Sequence, residues 1–211
     1  ALDAAFALDA GAGVSILYGP SMVEALRLTF ADEPEAAEEA FDEALRRAEA
    51  HGDEATVAGI FFHRAEAACR AGELERAATL ADAAYATCEQ AGMTGHLTYA
   101  ASVQALTHGL LGYEEATRAK AAEAMAVASG YWETQAHLAL GLLALSLGDA
   151  STAVEELHAL PDRVLAAGFG EPWHLQAVPA AIEALADVGE LREAERLLGQ
   201  YGRAVAPGAF G

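Results

Sequence analysis

The stretch Gly72-Glu73-Leu74-Glu75-Arg76-Ala77 returns, with two letters exchanged, as Gly189-Glu190-Leu191-Arg192-Glu193-Ala194. The two copies lie 117 residues apart, or three intervals of 39. Working outward from them, Asp32, Gly72, Gly112, Gly148 and Gly189 form one series of marks, spaced 40, 40, 36 and 41 residues. A second series, Gly52, Gly92, Gly130 and Gly168, falls midway between them. Glycine just past a helix end takes positive φ without the Cβ penalty, so helix C-caps explain both series. The reading is an array of antiparallel helix pairs, about five in number, with an inner turn inside each pair and an outer turn between pairs.

The segments between marks carry helical periodicity. In 53–71 the apolar positions Val57, Ile60, Phe61, Ala65 and Ala68 recur every three or four residues, with Asp53 as N-cap. The predicted pairs are 20–31 with 35–50, 53–71 with 74–91, 94–111 with 114–129, 132–147 with 150–167, and 173–188 with 191–206. Residues 1–13 read as a linker or the end of a preceding repeat, and 14–211 as a single helical-repeat domain. Ala37, Ala77, Ala153 and Ala194 each follow an inner mark by five residues, while Ala116 follows by four. A side chain that small lets two helices close on each other. These alanines and turn glycines resemble tetratricopeptide repeats, which implies a right-handed superhelical α-solenoid. The spacing exceeds that family's 34-residue period, so the helices are longer.

Composition agrees with an all-α chain. It is 54% hydrophobic yet only 7% aromatic, much of it Ala, and lacks the Val, Ile and Thr runs of strands. The net charge of −20 argues against direct nucleic-acid binding and keeps an Ala-rich surface solvated. No apolar run suits a membrane span, and the first residues do not read as a signal peptide. A cytoplasmic fragment with reduced Cys69 and Cys88 is expected.

The last two repeats carry a more specific likeness. Leu140-Gly-Leu-Leu-Ala-Leu-Ser-Leu-Gly-Asp149, Ala166-Ala-Gly-Phe-Gly-Glu-Pro172, Val178-Pro-Ala-Ala-Ile-Glu-Ala-Leu185 and Gly189 to Leu198 together resemble the repeat region of large ATP-binding LuxR-type transcriptional regulators of actinobacteria, similar to the maltose regulator. The resemblance implies a non-enzymatic module that receives a signal, a small-molecule inducer or a protein partner. It would relay that signal to an ATPase domain and a helix-turn-helix domain outside this chain, with ATP bound only in the former. The alternative is a free-standing adaptor that binds a peptide or protein.

Catalytic and metal motifs are not evident. The seven histidines never fall three or four residues apart, and the sequence has no His-Glu-x-x-His or phosphate-loop motif. In tetratricopeptide-like arrays the first helix of each pair lines the concave face. The groove candidates there are His63, Tyr99, Gln104, His108, Trp132, Gln135, His137, Trp173, His174 and Gln176. Aromatic walls with a few hydrogen-bonding groups are what a ligand site needs; the competing reading is that these residues pack between repeats. Uncapped apolar ends suggest homodimerisation.

Overall fold

The computed structural model describes residues 19–31, 33–127, 130–166 and 175–205. Among these residues there are eleven α-helices and no strand. They are α1 (Pro20–Phe30), α2 (Pro34–His51), α3 (Glu54–Ala71), α4 (Leu74–Gln90), α5 (Thr94–Leu110), α6 (Glu114–Met125), α7 (Tyr131–Ser146), α8 (Ala150–Leu157), α9 (Leu160–Ala166), α10 (Ala177–Asp187) and α11 (Leu191–Ala204). The chain divides into two compact units, Ala1–Thr107 and His108–Gly211, with the boundary inside α5. In the first unit α1 packs on α2, α2 on α3 and α3 on α4; in the second α6 packs on α7, α7 on α8, α8 on α10 and α10 on α11. The segment read as a linker, 1–13, lies outside the described residues.

The opening motif is a helix stop followed by a helix start. Gly72 ends α3 with φ +77°, its N–H donating to Cys69 O at 3.1 Å, and the Glu73 N–H donates to Ala68 O at 2.9 Å. Gly189 repeats this with φ +83°, its N–H donating to Ala186 O at 3.1 Å and the Glu190 N–H donating to Leu185 O at 2.8 Å. This double bond pattern satisfies carbonyls that a helix end leaves open, and it needs a left-handed residue at its centre. Gly52, Gly92, Gly112 and Gly148 close their helices in the same way. Gly130 does not: at φ +66° and ψ −128° it is the N-cap of α7, and α6 has already ended at Met125. Its role is to start a helix rather than stop one.

Asp53 caps α3 as expected, accepting from the Thr56 N–H at 3.1 Å and the Thr56 hydroxyl at 2.6 Å. Asp149 caps α8 identically through Thr152, at 3.1 and 2.6 Å. The long second helix expected over 150–167 is broken in two. Pro161 has no N–H to donate to the preceding turn, so α8 stops at Leu157 and α9 restarts at Leu160.

Second helices bury one stripe, at five, nine, twelve and sixteen residues past the inner mark. In α2 these are Ala37, Phe41, Ala44 and Ala48; in α4 they are Ala77, Ala81, Ala84 and Cys88. The third repeat departs from the expected alanine, because Thr117 rather than Ala116 occupies the fifth position and is buried. Its extra bulk is accommodated by Gly109 on α5, where a Cβ would sit 3.4 Å from Thr117 Cγ2 and 2.9 Å from Ala139 O.

Size matching governs the ninth position. Its counterpart on the first helix lies seven residues before the mark. The combinations are Ala25 with Phe41, Ala65 with Ala81, and Gly141 with Leu157, all at or below 1% exposure where a side chain exists. Leu157 sits on Gly141 so closely that an added Cβ would meet its Cγ at 2.3 Å. The fifth repeat combines two large residues, Ile182 and Leu198. There Leu197 is buried at 1% and Leu198 is left 57% exposed.

First helices are buried on several faces rather than one. Every residue from Ala100 to Thr107 is buried, and in α3 Phe62, not the predicted Phe61, is the buried phenylalanine. A single-stripe reading underestimates burial wherever a helix has neighbours on more than one side.

Candidate functional site

Two surface grooves lie beside the two copies of the opening motif. In the first unit a depression of about 170 Å³ is lined by Thr29 and Pro34, by Ala37 and Glu38 of α2, by Ala67, Ala68, Arg70 and Ala71 at the end of α3, and by Glu73 and Arg76. Glu38 is its electrostatic hub. It accepts from Arg64 and, at 2.7 Å, from Arg76. Arg64 also reaches Asp42 at 3.0 Å, and Arg76 reaches Glu73 at 2.7 Å. These carboxylates stabilise the Arg76 guanidinium further, Glu73 most strongly, and raise its pKa. Arg70 donates to Thr29 O at 3.3 Å and lies 6.0 Å from the centre of the Phe30 ring. In a chain with 12 basic residues against 32 acidic ones, three of the arginines gather here.

In the second unit the corresponding groove is lined by Val154, His158, Ala159, Asp162, Leu185, Glu190 and Glu193. Counting from the inner marks, Glu73 corresponds to Glu190, Arg76 to Glu193 and Glu38 to Val154. The letter exchange in the motif therefore replaces an arginine on the groove wall by a glutamate. Arg196, paired with Glu193, reaches Asp162 at 3.4 Å. Glu193, with Asp162 adding to it, raises the pKa of that guanidinium.

The groove residues expected from sequence are placed differently. Gln104 is 6% exposed, and its amide donates to Asp82 of α4 at 2.7 Å. Gln104 lies eight residues before its inner mark and Asp82 ten after its own. Arg64 and Asp42 occupy the same two positions one repeat earlier. Gln104 is thus a link between successive repeats, not a side chain on an open wall. Gln135 is 5% exposed, and its Oε1 is a buried acceptor without a hydrogen-bond partner. His137 and Glu156 join α7 to α8 at 2.7 Å.

Tyr99, His108, Trp132 and Gln176 are half-buried. Tyr99 lies edge-on to His96 at 5.8 Å, and His108 faces Tyr113 at 6.0 Å. His63 pairs with Glu66 at 3.1 Å, and its ring lies against Phe62 at 4.4 Å, tilted by 53°. Trp173 and His174 lie outside the described residues. Tyr99 and Gln104 belong to the first unit, while His108, Trp132, Gln135 and His137 belong to the second. The arginine groove was not anticipated. Its sequence signal was the placing of Arg64, Arg70 and Arg76 on one helix pair of an acidic chain.

Cys69 and Cys88 are free thiols. Burial, reinforced by Glu66, pushes Cys69 up to about 12, and burial alone pushes Cys88 up to about 11. Both are therefore poor nucleophiles at neutral pH. Among the described residues no group of His, Cys, Asp and Glu could hold a metal ion, and no helix is long and apolar enough to cross a membrane.

No family model matches the chain, and no curated protein matches it. Among solved structures it is similar to the crystal structure of BtubC (BKLC) from P. vanneervenii. The two are 19% identical with a TM-score of 0.63, over 96% of this chain and 86% of that one. At that identity the likeness is one of fold.

Proposed function

We propose that this chain is a non-enzymatic interaction and signal-sensing module of a LuxR-type regulator, binding a protein partner or an inducer. The observation that carries the reading is how the repeats distribute their chemistry. The buried seam is mostly alanine, with Phe41 and Leu157 set against the small Ala25 and Gly141, and the histidine–carboxylate contacts, His63 with Glu66 and His137 with Glu156, join scaffold residues. Variation falls on the exposed turn ends, where Arg76 of one repeat becomes Glu193 of another. A scaffold that keeps its helix pairing and varies the chemistry of its exposed turn ends suits recognition rather than bond-making.

The resemblance, which covers essentially the whole chain and is strongest from about Gly130 to Ala206, supports the regulator assignment. Sequencing the gene on both sides tests it: a phosphate-binding loop upstream and a helix-turn-helix downstream are expected. Finding neither would leave a binding repeat without that parent. Native mass spectrometry of protein purified from its source tests the sensing role, with a co-purifying small molecule or partner expected. A clean apo mass together with no partner in a cross-linked source extract would remove it.

A further inference from the structure

Eight large apolar side chains are exposed among the described residues, and five lie within two positions of an inner-turn glycine of the second unit. These are Leu110 and Tyr113 beside Gly112, Leu147 beside Gly148, and Val188 and Leu191 beside Gly189, between 36% and 59% exposed. The turn itself does not require them. The first unit has Arg70, Ala71 and Glu73 around Gly72, and Leu74, the counterpart of Leu191, is half-buried. An apolar group recurring at three successive turns is a patch rather than scatter.

Each short turn reverses the chain, so inner turns of neighbouring repeats share one end of the stack. Arg118, one turn into α6, contributes to holding Asp149 of the next inner turn below the ordinary carboxylate range, after the stronger Thr152 hydrogen bonds. That places the Gly112 and Gly148 turns within electrostatic reach of each other. Acidic side chains flank the apolar ones: Glu114 and Glu115, then Asp149, then Asp187 and Glu190, all exposed. Helix starts favour such acids, yet their sum leaves an apolar ridge in a negative field. Packed helices stand about 10 Å apart. A partner helix returns to the same face every seven residues, about 10.5 Å along its axis.

We propose that the inner-turn edge of the second unit docks a basic amphipathic segment of a protein partner. Its apolar residues, spaced by heptads, would meet Tyr113, Leu147 and Val188–Leu191, and its Lys or Arg residues would meet the flanking acids. The proposal rests on the reading of this chain as a binding module and specifies the surface and the partner's chemistry. A low-charge, purely apolar partner would forgo the complementarity that the −20 chain offers.

The test uses the whole chain and a peptide of about 18 residues, long enough as a helix to cross three turns, with Leu at heptad a and d positions and Lys elsewhere. Calorimetry near physiological salt should show a one-to-one complex. Leu147→Glu and Leu191→Glu, both exposed, should each weaken it at least tenfold with the helical circular dichroism unchanged. Val127→Glu, equally exposed chemistry at 74% but distant from the inner turns in sequence, should leave it unchanged. A Leu/Glu peptide of the same pattern should not bind. Absence of binding, equal loss in Val127→Glu, or equal binding of the Leu/Glu peptide each overturns the proposal. So does vesicle binding or self-association that Leu147→Glu abolishes while the peptide stays bound, because the ridge would then serve a lipid surface or a second copy. None of these results touches the sequencing test of the parent gene, so the surface can fail while the module stands.

Discussion

The turns at Gly72 and Gly189 have the same backbone and opposite surroundings. Both close a helix with the same two hydrogen bonds and open the next with Glu, Leu and a buried alanine. They differ in the order of one Glu–Arg step. In the first, Arg76 turns inward to Glu38 and Glu73; in the second, Glu193 takes that wall and calls in Arg196. The first motif's leucine is half-buried, the second's is exposed. Backbone geometry and surface chemistry are thus written by different letters of one short motif, and they can change independently.

The largest effect should come from challenging the interiors behind those turns. Leu157→Ala should cost about 2–5 kcal/mol by leaving a void over Gly141, and Gly141→Ala should cost about 1–3 kcal/mol by overpacking Leu157. Combining them should recover part of the loss, since each relieves the other. Urea unfolding of the three variants measures this, and strict additivity would break the size-matching account. In the second repeat the complementary experiment is Ala81→Leu, expected to destabilise alone and to improve when Ala65→Gly is added.

Next comes the charge network. Arg64→Ala should cost about 1–3 kcal/mol, because the side chain is only 13% exposed and anchors both Glu38 and Asp42. Rewriting the first motif as the second, Glu75→Arg with Arg76→Glu, should cost less than about 1 kcal/mol, since Arg76 is 42% exposed. Thermal melts separate the two. A loss from the rewrite as large as that from Arg64→Ala would show that the letter order is structural after all.

The caps should give smaller effects. Asp53→Ala should cost about 1 kcal/mol. Asp149→Ala tests the same geometry with a pH handle. Hydrogen bonds from the Thr152 hydroxyl and N–H, with Arg118 adding to them, hold the Asp149 carboxyl below its ordinary value. Its contribution is therefore present above the unfolded carboxyl range and fades as pH falls through the lower folded value. The difference in melting temperature between wild type and Asp149→Ala should shrink on acidification, and a constant difference would contradict it. The smallest effect is kinetic. Iodoacetamide at about pH 8, near the ordinary thiol value, should leave Cys69 and Cys88 unmodified until the chain is denatured, as mass spectrometry would show.

Features that depend on nearby residues were legible in the sequence. Gly72 and Gly189 betray their left-handed backbone, Asp53 precedes a Thr three residues on, and alanines at fixed offsets mark the seam. Gly130 was misread because a glycine that starts a helix looks the same in sequence as one that stops it. Ala116 was taken for the seam residue because Thr117 becomes small enough only when Gly109 faces it. Among candidate site residues, Gln104 looked available because its partner Asp82 is 22 residues away on another helix. The exposed ridge at Leu147 and Val188 was invisible for the opposite reason. Leucine or valine beside a turn glycine ordinarily packs against its own helix end.

The fit of Leu157 into the space above Gly141 also limits how these repeats could be recombined. The second repeat carries alanine at both of the corresponding positions, Ala65 and Ala81. The fourth does not: its first helix grafted onto another repeat's second helix would meet an alanine across an unfilled gap, and the reverse graft would clash. Library designs that shuffle whole repeats should therefore tolerate this chain far better than designs that shuffle single helices, with the breakpoint placed at Gly130 rather than Gly148.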